Sequence, residues 1–299
     1  MKPAYTAEIR SYLALYLFLG LNLVSQVALQ ASPADTSSSE AGPEAHAAFE
    51  KLLAAPWQAV FTENGGADWR ERWMLDGLKA EVRPHGRGLY FQAGPIADDH
   101  ASHAVLWTRA SFRGPLRVEF DYTRMDTVNR GVNILYLLAT GTGEGPYAGD
   151  ISTWTGRREI PFMATYFDHM NLLHISYAAY DLDDAKAPDY VRARRYPRSL
   201  AGGSFDQTQL APDYADTALF QPGQRVHFTV LKDDHWLFFR ASTPATEKLF
   251  AWKLDAIPPV TAGRIGIRHM FQRAALYENI TISESPLRQD HDPVDRTGR

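Results

Sequence analysis

The segment that decides the fold is Arg225–Arg240, RVHFTVLKDDHWLFFR. Val226, Phe228 and Val230 alternate with polar residues, which is the period-two pattern of a strand that buries one face. Turn-forming residues follow at Lys232–Asp234, and the chain then returns through a second apolar run. The segment therefore predicts an antiparallel β-hairpin.

Runs of the same kind recur along the chain, separated by Gly, Pro, Asn and Asp. They cover residues 78–82, 88–93, 104–108, 116–123, 132–139, 250–252, 263–268 and 276–282. The first two are expected to pair as a hairpin around Pro84–Gly86. Short strands at this spacing predict an all-β sandwich or barrel. One short helix is expected at residues 47–53, and no segment after residue 60 keeps a helical period over three turns.

The two ends of the chain differ from this pattern. Lys2 and Arg10 precede an apolar run at residues 12–24, and Leu29–Ala31 resembles a cleavage site. Residues 1–31 are therefore predicted to be the signal peptide of a secreted or periplasmic protein, with an uncleaved anchor as the alternative. The prediction continues with a linker, the β-sandwich domain and a disordered tail, at residues 32–46, 47–286 and 287–299 respectively.

The composition excludes several classes of function. The chain has no cysteine, so disulfides, thiolate metal sites and a cysteine nucleophile are excluded. Its formal net charge is −4, which lacks the basic surface that general nucleic-acid binding needs. No membrane contact is expected beyond the signal peptide. The arginines cluster locally, and such a cluster fits recognition of a carboxylate or sulfate group.

The densest run of His, Tyr, Arg and Asp is Phe167–Pro197, FDHMNLLHISYAAYDLDDAKAPDYVRARRYP. It contains two alternating segments, and successive side chains of a strand point to opposite faces. One face is mostly small or apolar and is expected to face the core, with Ile175, Tyr177, Ala179, Val191 and Ala193, and also Arg195. The other face is expected to line a groove, with His174, Ser176, Tyr180, Tyr190, Arg192, Arg194 and Tyr196. A charged, solvated outer face is the alternative.

Two parts of the sequence resemble a known fold. The closing order GQRVHFTVLKDDHWLFF (residues 223–239) and AGRIGIRHMFQRAALYENITI (residues 262–282) resembles the last strands of concanavalin-A-like lectin/glucanase jelly rolls. The middle, PFMATYFDHMNLLHISYAAYD and YVRARRYP, resembles the YesU-like family of such proteins, and the likeness covers most of residues 57–284. The resemblance implies a jelly-roll β-sandwich of two antiparallel sheets with a concave sugar-binding face. It also implies a role in bacterial use of acidic polysaccharides, and it brings no settled catalytic residues.

The favoured function is cleavage of a uronate-containing polysaccharide by β-elimination. That reaction needs a base, an acid and a cation that neutralises the carboxylate. His174 and Tyr180 are the candidates for base and acid, and Arg192 and Arg194 are the candidates for the clamp. The sequence does not contain the motifs of the jelly-roll lyase families, so this assignment rests on residue type and fold.

Two alternatives stay open. A retaining glycosidase of this fold carries Glu-x-Asp-x-Glu on one strand. Glu119 and Asp121 begin that pattern, but the third carboxylate is missing. These two residues are therefore expected to line the groove or to hold nearby arginines. A non-catalytic glycan-binding protein would instead use Trp107, Tyr147 and Trp154 for stacking, with arginines selecting acidic sugars. Arg268 is also expected to face the groove.

No cofactor is expected, and a calcium ion is the alternative. Asp181, Asp183, Asp184 and Asp189 place oxygen ligands at loop spacing, although a solvated turn is the favoured explanation. His100 and His103 lack the third ligand that a zinc site needs.

Overall fold

The structure is a computed structural model that describes residues 37–38, 40–66 and 68–285. The predicted signal peptide and the predicted tail lie outside the described residues. Two α-helices are described, α1 (Pro43–Leu53) and α2 (Met163–His169). No helix in the described ranges is long and apolar enough to cross a membrane.

The described residues fold into two β-sheets. The strands are β1 (Ser37–Ser38), β2 (Gln58–Glu63), β3 (Trp73–Asp76), β4 (Glu81–His85), β5 (Gly88–Gln92), β6 (Ala104–Thr108), β7 (Phe112–Arg113), β8 (Leu116–Arg124), β9 (Gly131–Gly141), β10 (Met170–Tyr180), β11 (Tyr190–Tyr196), β12 (Asp213–Ala215), β13 (Arg225–Lys232), β14 (Trp236–Ser242), β15 (Glu247–Lys253), β16 (Ala262–His269) and β17 (Ala274–Glu284).

We call the nine-stranded sheet the front sheet; its order is β1-β12-β11-β10-β9-β16-β6-β3, with β7 paired to β16. The eight-stranded back sheet has the order β15-β14-β13-β8-β17-β5-β4, with β2 paired to β17. Pairing is antiparallel throughout the described strands except between β1 and β12. Two sheets packed face to face confirm the predicted β-sandwich.

Most strands lie where the alternation predicted them, and β13 and β14 form the hairpin of Arg225–Arg240. The helical prediction needs two corrections. Helix α1 begins at Pro43, inside the predicted linker, because a proline in the first turn with Glu44 beside it favours a helix start. Helix α2 was not predicted, since its two turns are too short to show a helical period.

The core between the sheets is rich in aromatic rings. Phe120 and Phe228 of the back sheet lie edge to face at 5.1 Å, and Tyr177 of the front sheet packs against both. The hydroxyl groups of Tyr177 and Tyr277 lie 2.8 Å apart, and Tyr277 also hydrogen-bonds Nε2 of buried His269. The core therefore satisfies its buried hydroxyl groups internally, as a dry interior requires.

The outer face of the front sheet is partly covered by residues 142–169, which we call the cover segment. Asp76 of β3 fastens it: Oδ2 accepts hydrogen bonds from Trp107 Nε1 at 2.7 Å, Arg158 Nε at 2.7 Å and Tyr166 Oη at 2.9 Å. The rings of Trp107, Tyr136 and Tyr166 lie nearly parallel in one layer above the sheet. The cover segment thus has its own small core, and its edge forms a wall over the rest of the outer face.

Candidate functional site

The polar faces of β10 and β11 lie side by side on the outer face of the front sheet. His174 pairs with Arg194 on β11, and Ser176 pairs with Arg192. On the other side of β10, the same two residues pair with Tyr136 and Ile134 of β9. Neighbouring strands are about 4.8 Å apart, so the register brings these side chains together. The opposite parity, including Ile175 and Val191, faces the core as predicted from the alternation.

These strands form the floor of a cavity of about 420 Å³, a size typical of small-molecule sites. The floor consists of Val132 and Ile134 from β9, His174, Ser176 and Tyr180 from β10, and Tyr190, Arg192 and Arg194 from β11. The walls come from short helices and loops outside these strands, and they consist of Met163, Phe205, Asp181–Asp183, His100, His103 and Met270. These walls bound the cavity above its floor.

His174 sits in the floor with both ring nitrogens engaged. Nδ1 lies 2.8 Å from the hydroxyl of Tyr196, and Nε2 lies 2.6 Å from that of Ser176. Burial lowers the pKa of His174 well below its usual range, and the nearby charges of Arg194, Arg268 and Arg192 act in the same direction. At neutral pH this imidazole is therefore uncharged.

Arg192 and Arg194 look alike in sequence but differ in their partners. Arg192 is paired side-on with Asp213, with Nε–Oδ1 at 2.9 Å and Nη2–Oδ2 at 2.5 Å. Arg194 uses Nη1 alone, which donates to the carbonyl of Phe205 at 2.9 Å and to Thr208 Oγ1 at 3.2 Å. Its Nε and Nη2 make no hydrogen bond, and no carboxylate pairs with it, within the described residues. In Arg192 the Nε/Nη2 edge of the guanidinium binds Asp213. In Arg194 the same edge has no partner among the described residues, so it can bind an external group.

Arg268 lies on the outer face as predicted, but it is fully buried under the ring of Tyr166, 4.6 Å away. Its Nη2 donates to Nδ1 of His103 at 2.8 Å and to the carbonyl of Pro161 at 2.6 Å. Because an arginine can only donate, Nδ1 of His103 is the acceptor. Burial, with the charge of Arg268, lowers the pKa of His103 to about 3. Arg268 therefore does not line the cavity, contrary to the prediction that it contacts substrate, because the cover segment buries it; it acts on the cavity through its hydrogen bond to His103 and through its charge near His174.

The tyrosines of the predicted groove have three different environments. Tyr190 lines the cavity, and its ring stacks on the guanidinium of Arg192 at 4.4 Å. Tyr196 is fully buried beneath the floor and supports His174, so the expectation that it contacts substrate is wrong. Tyr180 lines the cavity, but its hydroxyl accepts a hydrogen bond from buried Arg124 at 2.7 Å. A bulge at Ala178, where φ is 43°, shifts the register just before Tyr180.

Trp154 is not an exposed stacking platform, contrary to the expectation from its Gly-rich surroundings. It is 5% exposed, its Nε1 donates to the carbonyl of Ala148 at 2.9 Å, and its ring packs edge to face on Tyr147 at 5.3 Å. Tyr147 in turn stacks on His169 at 3.6 Å. Trp107 is also fully buried. Tyr147 and Trp154 therefore pack inside the cover segment, and Trp107 packs beneath it, because that segment folds back on the sheet.

Glu119 and Asp121 lie on β8 of the back sheet, on the side of the molecule away from the cavity, so they do not line the predicted groove. They face outward beside β13, where Nδ1 of His227 is 2.9 Å from Asp121 and Arg117 is 2.7 Å from Glu119. Burial opposes ionisation of Glu119, but hydrogen bonds from His227 and Arg117 outweigh it and lower its pKa to about 2. The pair holds basic residues, which was the other interpretation of this sequence.

The acidic loop after β10 shows no grouping of ligands. Oδ1 of Asp181 accepts hydrogen bonds from the backbone of Asp183 and Asp184 at 2.7 and 2.9 Å, as in a solvated turn. Asp189 instead holds the backbone of Thr217 at 2.9 Å. Across the described ranges, no three His, Asp or Glu side chains are placed to hold a metal ion.

Ten of the sixteen residues that line the cavity were not predicted to do so, among them His100, His103, Met163, Phe205 and Met270. The two histidines had been considered as zinc ligands only. Met163 and Phe205 lie in short irregular or helical segments without periodicity, and Met270 follows β16 directly. The order of the strands in the sheet brings them together, and a single sequence gives no local signal for that order.

Comparisons with known proteins bear on the fold. The sequence matches no protein-family model, and no curated protein matches it in sequence. A protein of unknown function with a galectin-like fold from Bacillus subtilis is similar in structure, with a TM-score of 0.60 and 18% identity, over 76% of this chain and 97% of that chain. The Ca²⁺/Man2-bound exoplasmic/lumenal domain of VIP36 has a TM-score of 0.49 and 12% identity, over 79% of this chain and 92% of that chain. The first match establishes that this chain has a galectin-like, lectin-type jelly-roll fold.

Proposed function

We propose that this protein binds an acidic saccharide in the cavity on the outer face of the front sheet, with a carboxylate of the ligand held by Arg194. The carbohydrate part of the proposal is supported by the resemblance of the sequence to YesU-like proteins and by the lectin-type fold. The acidic part is supported by the electrostatics of the cavity.

The observation that carries the proposal is the contrast between the two arginines of β11. Arg192 and Arg194 project from one face of one strand, and Arg192 shows how a carboxylate fits side-on against Nε and Nη2. Arg194 is 5% exposed and presents the same two donors to the cavity. Burial lowers the pKa of Arg194 although the charge of Asp206 opposes this, and no carboxylate of the described residues lies at ion-pair distance from Arg194. Two parallel charge-assisted hydrogen bonds from an anionic ligand would offset the cost of burying this cation.

Proton transfer is less well supported than binding. β-Elimination needs a base whose conjugate acid forms near neutral pH, but burial and the neighbouring arginines lower the pKa of His174 well below that range. Burial likewise raises the pKa of Tyr180 and of Tyr196. Lyase activity remains our second candidate, because His174, Tyr180 and Arg194 do line one cavity. Binding without cleavage is what the geometry supports best.

The test is calorimetric titration of the protein with uronate oligosaccharides and with neutral oligosaccharides of equal length. We expect Arg194→Gln to weaken uronate binding by about tenfold to a hundredfold, the value of hydrogen bonds to a charged group. Arg225→Gln, which removes the same charge on the back sheet, is the matched control and should bind like the parent. Arg194→Lys keeps the charge but loses the side-on geometry and should recover part of the affinity.

Unchanged uronate affinity in Arg194→Gln, with the variant folded, would overturn the proposal. The same samples can be followed by absorbance at about 235 nm, where the unsaturated product of β-elimination absorbs. A rising signal that Arg194→Gln abolishes would establish the lyase candidate. Binding with a flat signal and no new reducing ends would establish a binding protein.

A further inference from the structure

The cavity contains more apolar surface than an unsubstituted sugar needs. One end of its floor is formed by Val132 and Ile134 of β9, and Met270 adjoins them. Met163 and Leu182 contribute to the walls, and Leu182 is 41% exposed. Side chains of this kind stabilise an apolar group of a ligand by excluding water from it. Methionines in particular adapt to irregular apolar shapes.

The polar groups of the floor, in contrast, are mostly engaged with one another. His174 bonds to Tyr196 and Ser176, and Arg192 bonds to Asp213. No asparagine, glutamine or tryptophan belongs to the described lining of the cavity. Within the described residues, Arg194 has two donor groups without a partner, Nε and Nη2, while Tyr190 offers its hydroxyl and Arg192 only Nη1. The cavity therefore matches one anionic group strongly and a ring of sugar hydroxyls only sparsely.

The two kinds of surface occupy opposite ends of the floor. Arg194 lies on β11 and Ile134 on β9, with β10 between them. Two strand spacings separate these ends by roughly 10 Å. A ligand that reaches both ends has its carboxylate at β11, a ring over β10 and an apolar group at β9.

We infer that the ligand is an acidic sugar that carries an apolar substituent, such as an acyl, alkyl or aryl group, and that Val132, Met163 and Met270 hold this substituent. The inference rests on the proposed function, because it assigns the position of the substituent relative to the carboxylate on Arg194. It adds a second determinant of specificity, located on the strand and loops away from the arginines.

Three soluble probes separate the two determinants: D-glucuronate, p-nitrophenyl β-D-glucuronide and p-nitrophenyl β-D-glucoside. We expect the aryl glucuronide to bind at least about tenfold more tightly than glucuronate, which corresponds to about 1.4 kcal/mol. Met270→Gln should remove most of this gain and leave glucuronate binding unchanged. Met125→Gln, an exposed methionine outside the described cavity lining, is the matched control. Met163→Gln provides a second variant if Met270→Gln does not fold.

The outcomes distinguish the inference from the proposed function. Equal affinity for glucuronate and its aryl glycoside would overturn the inference and leave the proposed function standing. An aryl gain that survives both methionine substitutions would also overturn it. Equal affinity for the glucuronide and the glucoside would refute the role of Arg194 and so the proposed function. Failure of all three sugars to bind would refute both.

Discussion

Asp76 is the residue whose replacement most directly tests how the cover segment is held. Its carboxylate is 2% exposed and accepts three hydrogen bonds, one of them from Arg158, which is fully buried. Asp76→Asn preserves the shape of the side chain and removes its charge. Arg158 then remains as a buried cation without a counter-charge, and loss of one partner of such a pair typically costs about 3–5 kcal/mol. We expect the free energy of unfolding to fall by that amount.

The pKa of Asp76 indicates what a double replacement should do. Burial raises this pKa, although Arg158 and the other donors oppose the change. The free-energy cost of burying the charged carboxylate therefore exceeds the stabilisation that its partners provide, as is common for buried ion pairs. Replacing both charges, in Asp76→Asn with Arg158→Met, should recover at least about 2 kcal/mol of the loss seen in Asp76→Asn alone.

Urea unfolding followed by tryptophan fluorescence measures these differences, provided that the m-value is unchanged. Asp168→Asn is the control, because Asp168 lies on helix α2 of the same cover segment and pairs with the more exposed Arg198 at 2.5 Å. The loss of unfolding free energy in Asp168→Asn should stay below about 1 kcal/mol. A loss of that size in Asp76→Asn, or a double variant no more stable than the single one, would refute the reasoning.

Three further predictions concern other parts of the molecule. Burial lowers the pKa of His269 to about 3. The contribution of neutral His269 to stability is therefore full above about pH 6.5 and is lost as the pH falls towards 3. His269→Gln should reduce the slope of the unfolding free energy against pH by up to about 1.4 kcal/mol per pH unit, and an unchanged slope would contradict this. Gly266→Ala should destabilise by about 1–3 kcal/mol and alter the near-UV circular dichroism, because a Cβ there would lie 2.4 Å from the Trp107 ring; a spectrum identical to the parent's would count against it. Glu119→Gln with Asp121→Asn should leave uronate affinity within about twofold of the parent, since both lie on the back sheet, and a larger loss in titration would place part of the site there.

The faces of β10 and β11 could be predicted from the sequence because a strand alternates its side chains with a period of two. Ile175 and Val191 face the core, and His174 and Arg194 face the cavity. A bulge at Ala178 interrupts this alternation, so that Tyr180 still lines the cavity as predicted but its hydroxyl bonds to Arg124. Nothing in a run of small residues indicates where one extra residue will be inserted.

What the sequence could not supply is which strands share a sheet. Glu119 and Asp121 have the alternation expected of a groove wall, yet β8 pairs with β13 and β17 in the back sheet. Likewise, Arg192 and Arg194 are equivalent by pattern, and the difference between them comes from Asp213 on β12, a distant segment. Partners of this kind depend on the tertiary fold and leave no mark on local periodicity.

The construction of the cavity from a strand floor and separate loop walls has a consequence for how this protein can diversify. Arg194 belongs to a paired strand, and any change there must respect the register of the whole sheet. Met163, Leu182 and Met270 come from three independent loops or short segments outside that ladder. Substitutions at these positions would alter the shape of the ligand that the cavity accepts, while the carboxylate-binding role proposed for Arg194 would be inherited unchanged. Homologous proteins should therefore differ in their preferred substituent more readily than in their preference for charge.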